Sequence, residues 1–336
     1  MKNILDKIKK FFKENYKGII ILVLLYVFMN YNLGVSIYTP GGLINMDERI
    51  VSKDKIYKSK GSINMTYVSL IKGTIPTYLL AKIIPTWDIV ENEDITYDGN
   101  IDETIKIDRY YLEESISNAY MVAYNTANID YEIKKSNNYI TYIYEKTNTD
   151  LKLFDKILKY DNIEFSTFIT MQEYISSKKV GEKIDFIVIR NGKEKKCYAK
   201  IIEIDGVPKI GIATAVINEY VSDINIDVKS KKTESGASGG FMTTLAIYNA
   251  LIEKDITKGK IIAGTGTIDE KGNVGAIGGV KYKLSGAVKK NADIMLVPKD
   301  NYEEALNYKK EQGFDIELVS ISNFTEAIEY LNNWEV

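Results

Sequence analysis

Residues 233–240 read Thr233-Glu234-Ser235-Gly236-Ala237-Ser238-Gly239-Gly240, a loop of small residues. A helical pattern follows at once, with Phe241, Leu245, Tyr248, Leu251 and Ile252 on one face. Ser238 is therefore expected at a helix N-terminus, where unpaired backbone N–H groups can stabilise an oxyanion. Gly236, Ala237 and Gly239 around it are the expected oxyanion supports, and with little or no side chain they let a substrate backbone come close. Helix capping is a common role for serine, and the loop alone does not separate a cap from a nucleophile.

Downstream, residues 260–269 are strand-like and lead through Glu270-Lys271-Gly272-Asn273 to Val274-Gly275-Ala276-Ile277-Gly278-Gly279-Val280-Lys281. A second helix is predicted there, with Leu284, Ala287 and Val288 on one side, and Ile294–Val297 reads as a buried strand. An unperturbed lysine titrates at ~10.4 and is a poor base at neutral pH. At a desolvated helix start, Lys281 would be pushed towards the neutral amine, which can accept a serine proton. Lys283 lies ~200° further round the same helix at 3.6 residues per turn, so it is assigned to another face. Ser235 precedes the helix and is out of register.

Composition removes other chemistries. The chain has 336 residues, no histidine and one cysteine, so a Ser-His-Asp triad, a Cys-His dyad, a histidine-bound metal and an intramolecular disulfide are all excluded. Cys197 is expected to be a structural, buried thiol. A formal net charge of −2 gives no reason to expect nucleic acid. No cofactor and no metal are expected.

At the N-terminus, Lys2, Lys7, Lys9, Lys10, Lys13 and Lys17 outnumber Asp6 and Glu14, and an uncharged apolar stretch follows. Residues 1–17 are read as a cytoplasmic basic segment and 18–37 as an uncleaved transmembrane anchor, the lysines setting its orientation. Residues after the anchor would then lie outside the cell membrane. A helix is predicted near Tyr110–Asn125, where Leu112, Ile116, Ala119 and Ala123 recur at helical spacing. In residues 184–188 apolar positions alternate, and Asn191-Gly192 marks a hairpin turn.

Residues 129–207 resemble a PDZ domain of the kind attached to bacterial proteases. The matching pieces are 155–162, the Lys179-Val180-Gly181-Glu182 turn and the Arg190-Asn191-Gly192-Lys193 hairpin. Such domains add an extended peptide to a sheet edge. Phe154 stands where the family usually has glycine, and Lys134-Lys135-Ser136-Asn137-Asn138 lacks the usual glycines. A spacer that binds no free C-terminus is the other reading.

Residues 233–297 resemble the proteolytic domain of the Lon family, whose serine lies in Gly-Pro-Ser-Ala-Gly and whose lysine lies in Ile-Gly-Gly-(Leu/Val)-Lys. Here these stand as Gly236-Ala237-Ser238-Gly239-Gly240 and Ile277-Gly278-Gly279-Val280-Lys281, with Ser238 and Lys281 43 residues apart. The resemblance implies a Ser238–Lys281 dyad, with a threonine supporting the lysine: Thr265 first by position, Thr267 second. Weaker likeness upstream, at 40–50, 61–70 and 112–115, implies that residues 38–128 and 208–336 form one α/β (α+β) domain with the PDZ-like β-rich unit inserted. Three consecutive units are the alternative. No Gly-x-x-x-x-Gly-Lys-(Ser/Thr) loop occurs.

The resulting expectation is an ATP-independent, membrane-anchored serine endopeptidase that cuts extracytoplasmic peptides or unfolded segments. Lon-type domains commonly form rings, so a homo-oligomer is possible. A catalytically silent peptide-binding or scaffold protein is the rival.

Overall fold

The computed structural model describes residues 2–92 and 100–335. Helix α1 (Lys2–Asn30) leads into strands β1 (Asn32–Asn45), β2 (Ile50–Ser52) and β3 (Ser62–Thr74), helix α2 (Ile75–Ile83), strand β4 (Asp88–Glu91) and helix α3 (Ile101–Thr126). A β-rich unit follows: β5 (Tyr131–Ile143), β6 (Lys156–Tyr160), β7 (Ile163–Glu164), α4 (Phe168–Ser176), β8 (Lys183–Arg190), β9 (Lys193–Lys200), β10 (Ile202–Ile204), β11 (Val207–Lys209) and β12 (Ile212–Ser222). The chain then forms β13 (Ile226–Val228), α5 (Gly240–Leu251), β14 (Ile261–Gly264), β15 (Thr267–Ile268), β16 (Val274–Gly275), α6 (Val280–Lys289), β17 (Ile294–Pro298), α7 (Lys299–Gln312), β18 (Glu317–Ile321) and α8 (Phe324–Asn333).

One six-stranded sheet, in the order β18-β17-β14-β3-β1-β4, takes strands from both sides of the β-rich unit. Its β3, β14, β17 and β18 run parallel, and β1 pairs antiparallel with β3 and β4. Successive strand residues point to opposite faces, and both faces here are covered. Ile262, Ile294 and Leu296 pack with α3, α5 and α8, whereas Ala263, Met295 and Val297 pack with α6 and α7. This alternation puts α5, which follows Ser238, and α6, which carries both candidate lysines, on opposite faces of the sheet.

The β-rich unit has the strand order β12-β5-β6-β8-β9 and its own core of Ile140, Ile157, Tyr160, Met171, Ile184, Phe186 and Val188. Asn191 and Gly192 both have positive φ, 52° and 75°, as a tight hairpin requires. Phe154 also has positive φ, 71°. The left-handed backbone that a glycine would supply is thus kept by a residue that packs outwards: its ring stacks on Tyr110 of α3 at 6.0 Å, with Lys106 Nζ 3.6 Å above its centre. The adjacent Asp155 is fully buried and gripped by Arg190, Nε to Oδ1 at 2.7 Å and Nη2 to Oδ2 at 2.6 Å. Cys197 is buried, and burial pushes its thiol pKa up.

Two boundaries differ from the sequence reading. Strand β12 pairs with β5 from Ile212↔Ile143 to Ser222↔Tyr131, so the β-rich unit runs to Ser222, well past 207. The expected transmembrane segment 18–37 is not one helix: α1 ends at Asn30, and residues 32–37 already belong to β1, with Ile37 fully buried in the sheet. The uncharged part of α1, 18–30, is about 20 Å long at 1.5 Å per residue, against a hydrocarbon core of about 30 Å. Among the described residues no helix is long and apolar enough to cross a membrane.

Candidate active site

The loop entering α5 is tied down from several sides. Arg49 Nη2 bonds Glu234 Oε1 at 2.8 Å, and Arg109 Nη1 donates to the carbonyls of Lys231 and Glu234. Glu234 is therefore a loop anchor. Gly236, at φ 87°, donates its N–H to Asp108 O at 2.9 Å. A single 3-10 turn, Ala237–Gly239, then runs into α5. Ser238 is half-buried, and among the described residues its hydroxyl has no hydrogen-bond partner.

The turn sits close against α3. Ser115 Oγ donates to Ala237 O at 3.0 Å, and a Cβ on Gly240 would lie 2.0 Å from that same Oγ. A side chain there would have to displace Ser115 from its bond to Ala237 O. Of the residues expected to help an oxyanion, Gly236 has spent its N–H on Asp108. Gly239 is buried, and a Cβ there would lie 2.5 Å from Met65 Sδ, so its lack of a side chain serves packing. The N–H groups of Ala237 and Ser238 open the turn, where position leaves them without an intrahelical acceptor.

Thr265 is fully buried just beyond β14. Its hydroxyl donates to the Ser238 carbonyl at 3.0 Å, and Gly266 N–H donates to the same oxygen at 2.9 Å. Lys283 Nζ donates to Thr265 Oγ1 at 3.0 Å. Lys283 is 3% exposed, and burial holds its pKa down at about 8. Among the described residues no carboxylate forms an ion pair with it. Thr267 sits half-buried in β15, away from this chain of bonds.

The expected base, Lys281, is elsewhere. Its Nζ is 2.7 Å from Asp88 Oδ2 and 4.9 Å from the centre of the Tyr282 ring, and its side chain is 37% exposed. Tyr282 OH donates to the same Asp88 oxygen at 2.5 Å. The reason is helical phase. Val280, Leu284 and Ala287 form the inward face of α6, and Lys283 lies beside Leu284 on that face. Lys281, ~200° away, points to the β4 edge. Spacing to the glycine pair favoured Lys281. The i, i+3, i+4, i+7 pattern Val280, Lys283, Leu284, Ala287 was the available signal for Lys283.

Residues 209–332 match the family model of the Lon protease (S16) C-terminal proteolytic domain. The chain carries a Lon-type serine protease domain. It is 34% identical over 127 residues to Lon protease from Campylobacter jejuni, covering 37% of this chain and 16% of that protein. It is 26% identical over 220 residues to Lon protease 2 from Borreliella burgdorferi, covering 60% of this chain and 25% of that protein. The chain thus spans a quarter or less of the length of these curated relatives. Among solved structures it is similar to the PDZ domain of an SdrC-like protein from Listeria monocytogenes, at 25% identity and a TM-score of 0.23, covering 25% of this chain and 92% of that one.

Proposed function

We propose that the chain is a serine endopeptidase in which Ser238 is the nucleophile and Lys283 the general base. The observation that carries this is a buried lysine, free of any carboxylate among the described residues, held by a threonine that is itself bonded to the Ser238 backbone. A lysine held at about 8 is partly neutral near pH 7. The neutral amine takes the Ser238 proton as Oγ attacks the scissile carbonyl. The ammonium then protonates the leaving amine, and water hydrolyses the acyl-enzyme by the reverse relay. Ala237 and Ser238 N–H groups are placed to receive the oxyanion.

The substrates in this reading are peptides or unfolded segments. The β-rich unit offers them a second site. An apolar groove of about 320 Å³, lined by Phe168, Met171, Ile175, Ile204, Ile210 and Ile212, lies between α4 and the edge strand β12. Its shape suits a peptide added as a strand, in keeping with a PDZ-like role. Attachment to a membrane surface through α1 is also part of the proposal. Its support is the row of exposed apolar side chains from Ile20 to Met29. Co-sedimentation of the full chain with lipid vesicles, lost when residues 20–29 are made polar, tests that attachment.

The function is tested by incubating the purified protein with unstructured peptides and reading products by mass spectrometry. The parent and Lys281→Ala should cleave; Ser238→Ala and Lys283→Ala should not. Cleavage retained in Ser238→Ala would overturn the assignment. Silence from folded parent protein would favour a peptide-binding role.

A further inference from the structure

A cavity of about 470 Å³ opens beside Ala237, the residue preceding Ser238. It is walled by α3 and by the β15–β16 hairpin, through Tyr111, Glu114, Asn118, Ala237, Thr267 and Asp269. We infer that this cavity is a substrate side-chain subsite for lysine or arginine, and that Glu114 is its specificity-determining residue. The inference rests on the protease reading above, which makes Ser238 the reacting residue.

The lining has the right chemistry for a long cationic side chain. The Tyr111 ring, Ile268 and Ala237 supply apolar wall for an alkyl stem. The charged groups among the lining residues are two carboxyls, Glu114 and Asp269, with no lysine or arginine. Asp269 is already committed: Oδ1 accepts from Lys271 N and Asn273 N, and Oδ2 accepts from Asn273 Nδ2. Glu114 is half committed. Its Oε1 accepts from Val216 N at 2.8 Å, and among the described residues Oε2 has no hydrogen-bond donor.

That arrangement fixes the carboxyl and leaves one oxygen for a ligand. Tyr111 OH is turned to Thr141 and Asn118 Nδ2 to Ile268 O, so neither competes for Glu114. Burial without a cation raises the Glu114 pKa to about 7. An incoming ammonium or guanidinium would supply the missing charge and draw the group into its ionised form. A half-buried acid in a cavity beside Ala237, otherwise without a partner for its charge, is most simply explained by a cation that arrives with the substrate.

Two measurements test this and separate it from the protease reading. In the peptide-mixture assay, the cut sites of the parent should show lysine or arginine enriched about tenfold at one fixed position relative to the scissile bond. In Glu114→Gln, which keeps an oxygen for Val216 N–H, that enrichment should collapse towards the frequency in the mixture. The second measurement removes catalysis. The full chain with Ser238→Ala is titrated with a peptide carrying lysine and with the same peptide acetylated on that lysine. Acetylation should weaken binding about tenfold, and this penalty should vanish when Glu114→Gln is added. Cut sites without lysine or arginine preference, or an acetylation penalty unchanged by Glu114→Gln, would overturn the subsite. A parent that fails to cut but binds with the Glu114-dependent penalty would overturn only the protease reading and leave the cation site standing.

Discussion

Lys283 Nζ lies 3.0 Å from Thr265 Oγ1, and that hydroxyl donates to the carbonyl of Ser238. One buried threonine therefore couples the base side of the site, on α6, to the nucleophile side, at the start of α5. Because the two helices lie on opposite faces of the sheet, the link has to pass through the end of a central strand, and β14 provides it.

Activity should rise with pH as Lys283 loses its proton. The peptide-cleavage rate is expected to increase tenfold per pH unit well below pH 8 and to level off above it, following a group held at about 8 by burial. Lys283→Arg should lower the rate at least a hundredfold across the range, since guanidinium stays charged. Lys281→Ala should shift neither the midpoint nor the plateau by more than a few-fold. A profile that moves with Lys281 would restore that residue as the base.

Stability should show the same lysine with the opposite emphasis. The Lys283 pKa is depressed from 10.5 to about 8, so between these values the unfolded chain holds a proton that the folded chain has released. Folding stability contributed by this group therefore rises as pH goes from about 8 to 10.5, by about 3 kcal/mol at 1.36 kcal/mol per unit. Glu114 acts on the other side. Its pKa is raised from 4.5 to about 7, so its contribution is full below 4.5 and is lost as pH climbs to 7. Denaturant titrations should place the minimum of these two contributions between pH 7 and 8. Lys283→Met should flatten the alkaline limb and Glu114→Gln the acid limb.

The β-rich unit should depend on one buried ion pair. Asp155 is 0% exposed and both its oxygens bond Arg190. Asp155→Ala strands the guanidinium beside the core and should cost about 3–5 kcal/mol, read as an early melting transition of this unit. Loss below 1 kcal/mol would mean that the hydrogen bond Arg190 Nη2 already donates to Asp150 O, at 2.9 Å, is enough to hold the guanidinium.

The fold was legible where periodicity was strong. The helices after Ser238 and around Leu284, the 294–297 strand and the Asn191-Gly192 turn all lie where apolar spacing and turn chemistry put them. Three features were hidden for physical reasons. The stretch 18–37 was read as one segment, because an exposed apolar helix and the start of a buried strand look alike in hydropathy. Strand β12 was assigned to the wrong unit because its pairing with β5 spans the whole insertion. Lys283 was passed over because the glycine-pair motif and the 43-residue spacing pointed to Lys281, and helical phase then put Lys283 on the other face; burial reverses the two.

Phe154 gives a last test, of how the β-rich unit is joined to the protease core. A non-glycine residue at φ 71° costs of order 1 kcal/mol. Phe154→Gly removes that strain but also removes the contacts with Tyr110 and Lys106 on α3. A cation over an aromatic face and an aromatic stack contribute about 0.5–1.5 kcal/mol each, so the exchange should lower global stability by about 0–2 kcal/mol. The junction should loosen all the same. Hydrogen exchange is expected to speed up at Val216 and Asn218, whose N–H groups are held by Glu114 and Ser117 of α3, while the β8–β9 hairpin keeps its protection. Unchanged exchange at Val216 would show that the hydrogen bonds to α3 hold the unit without Phe154.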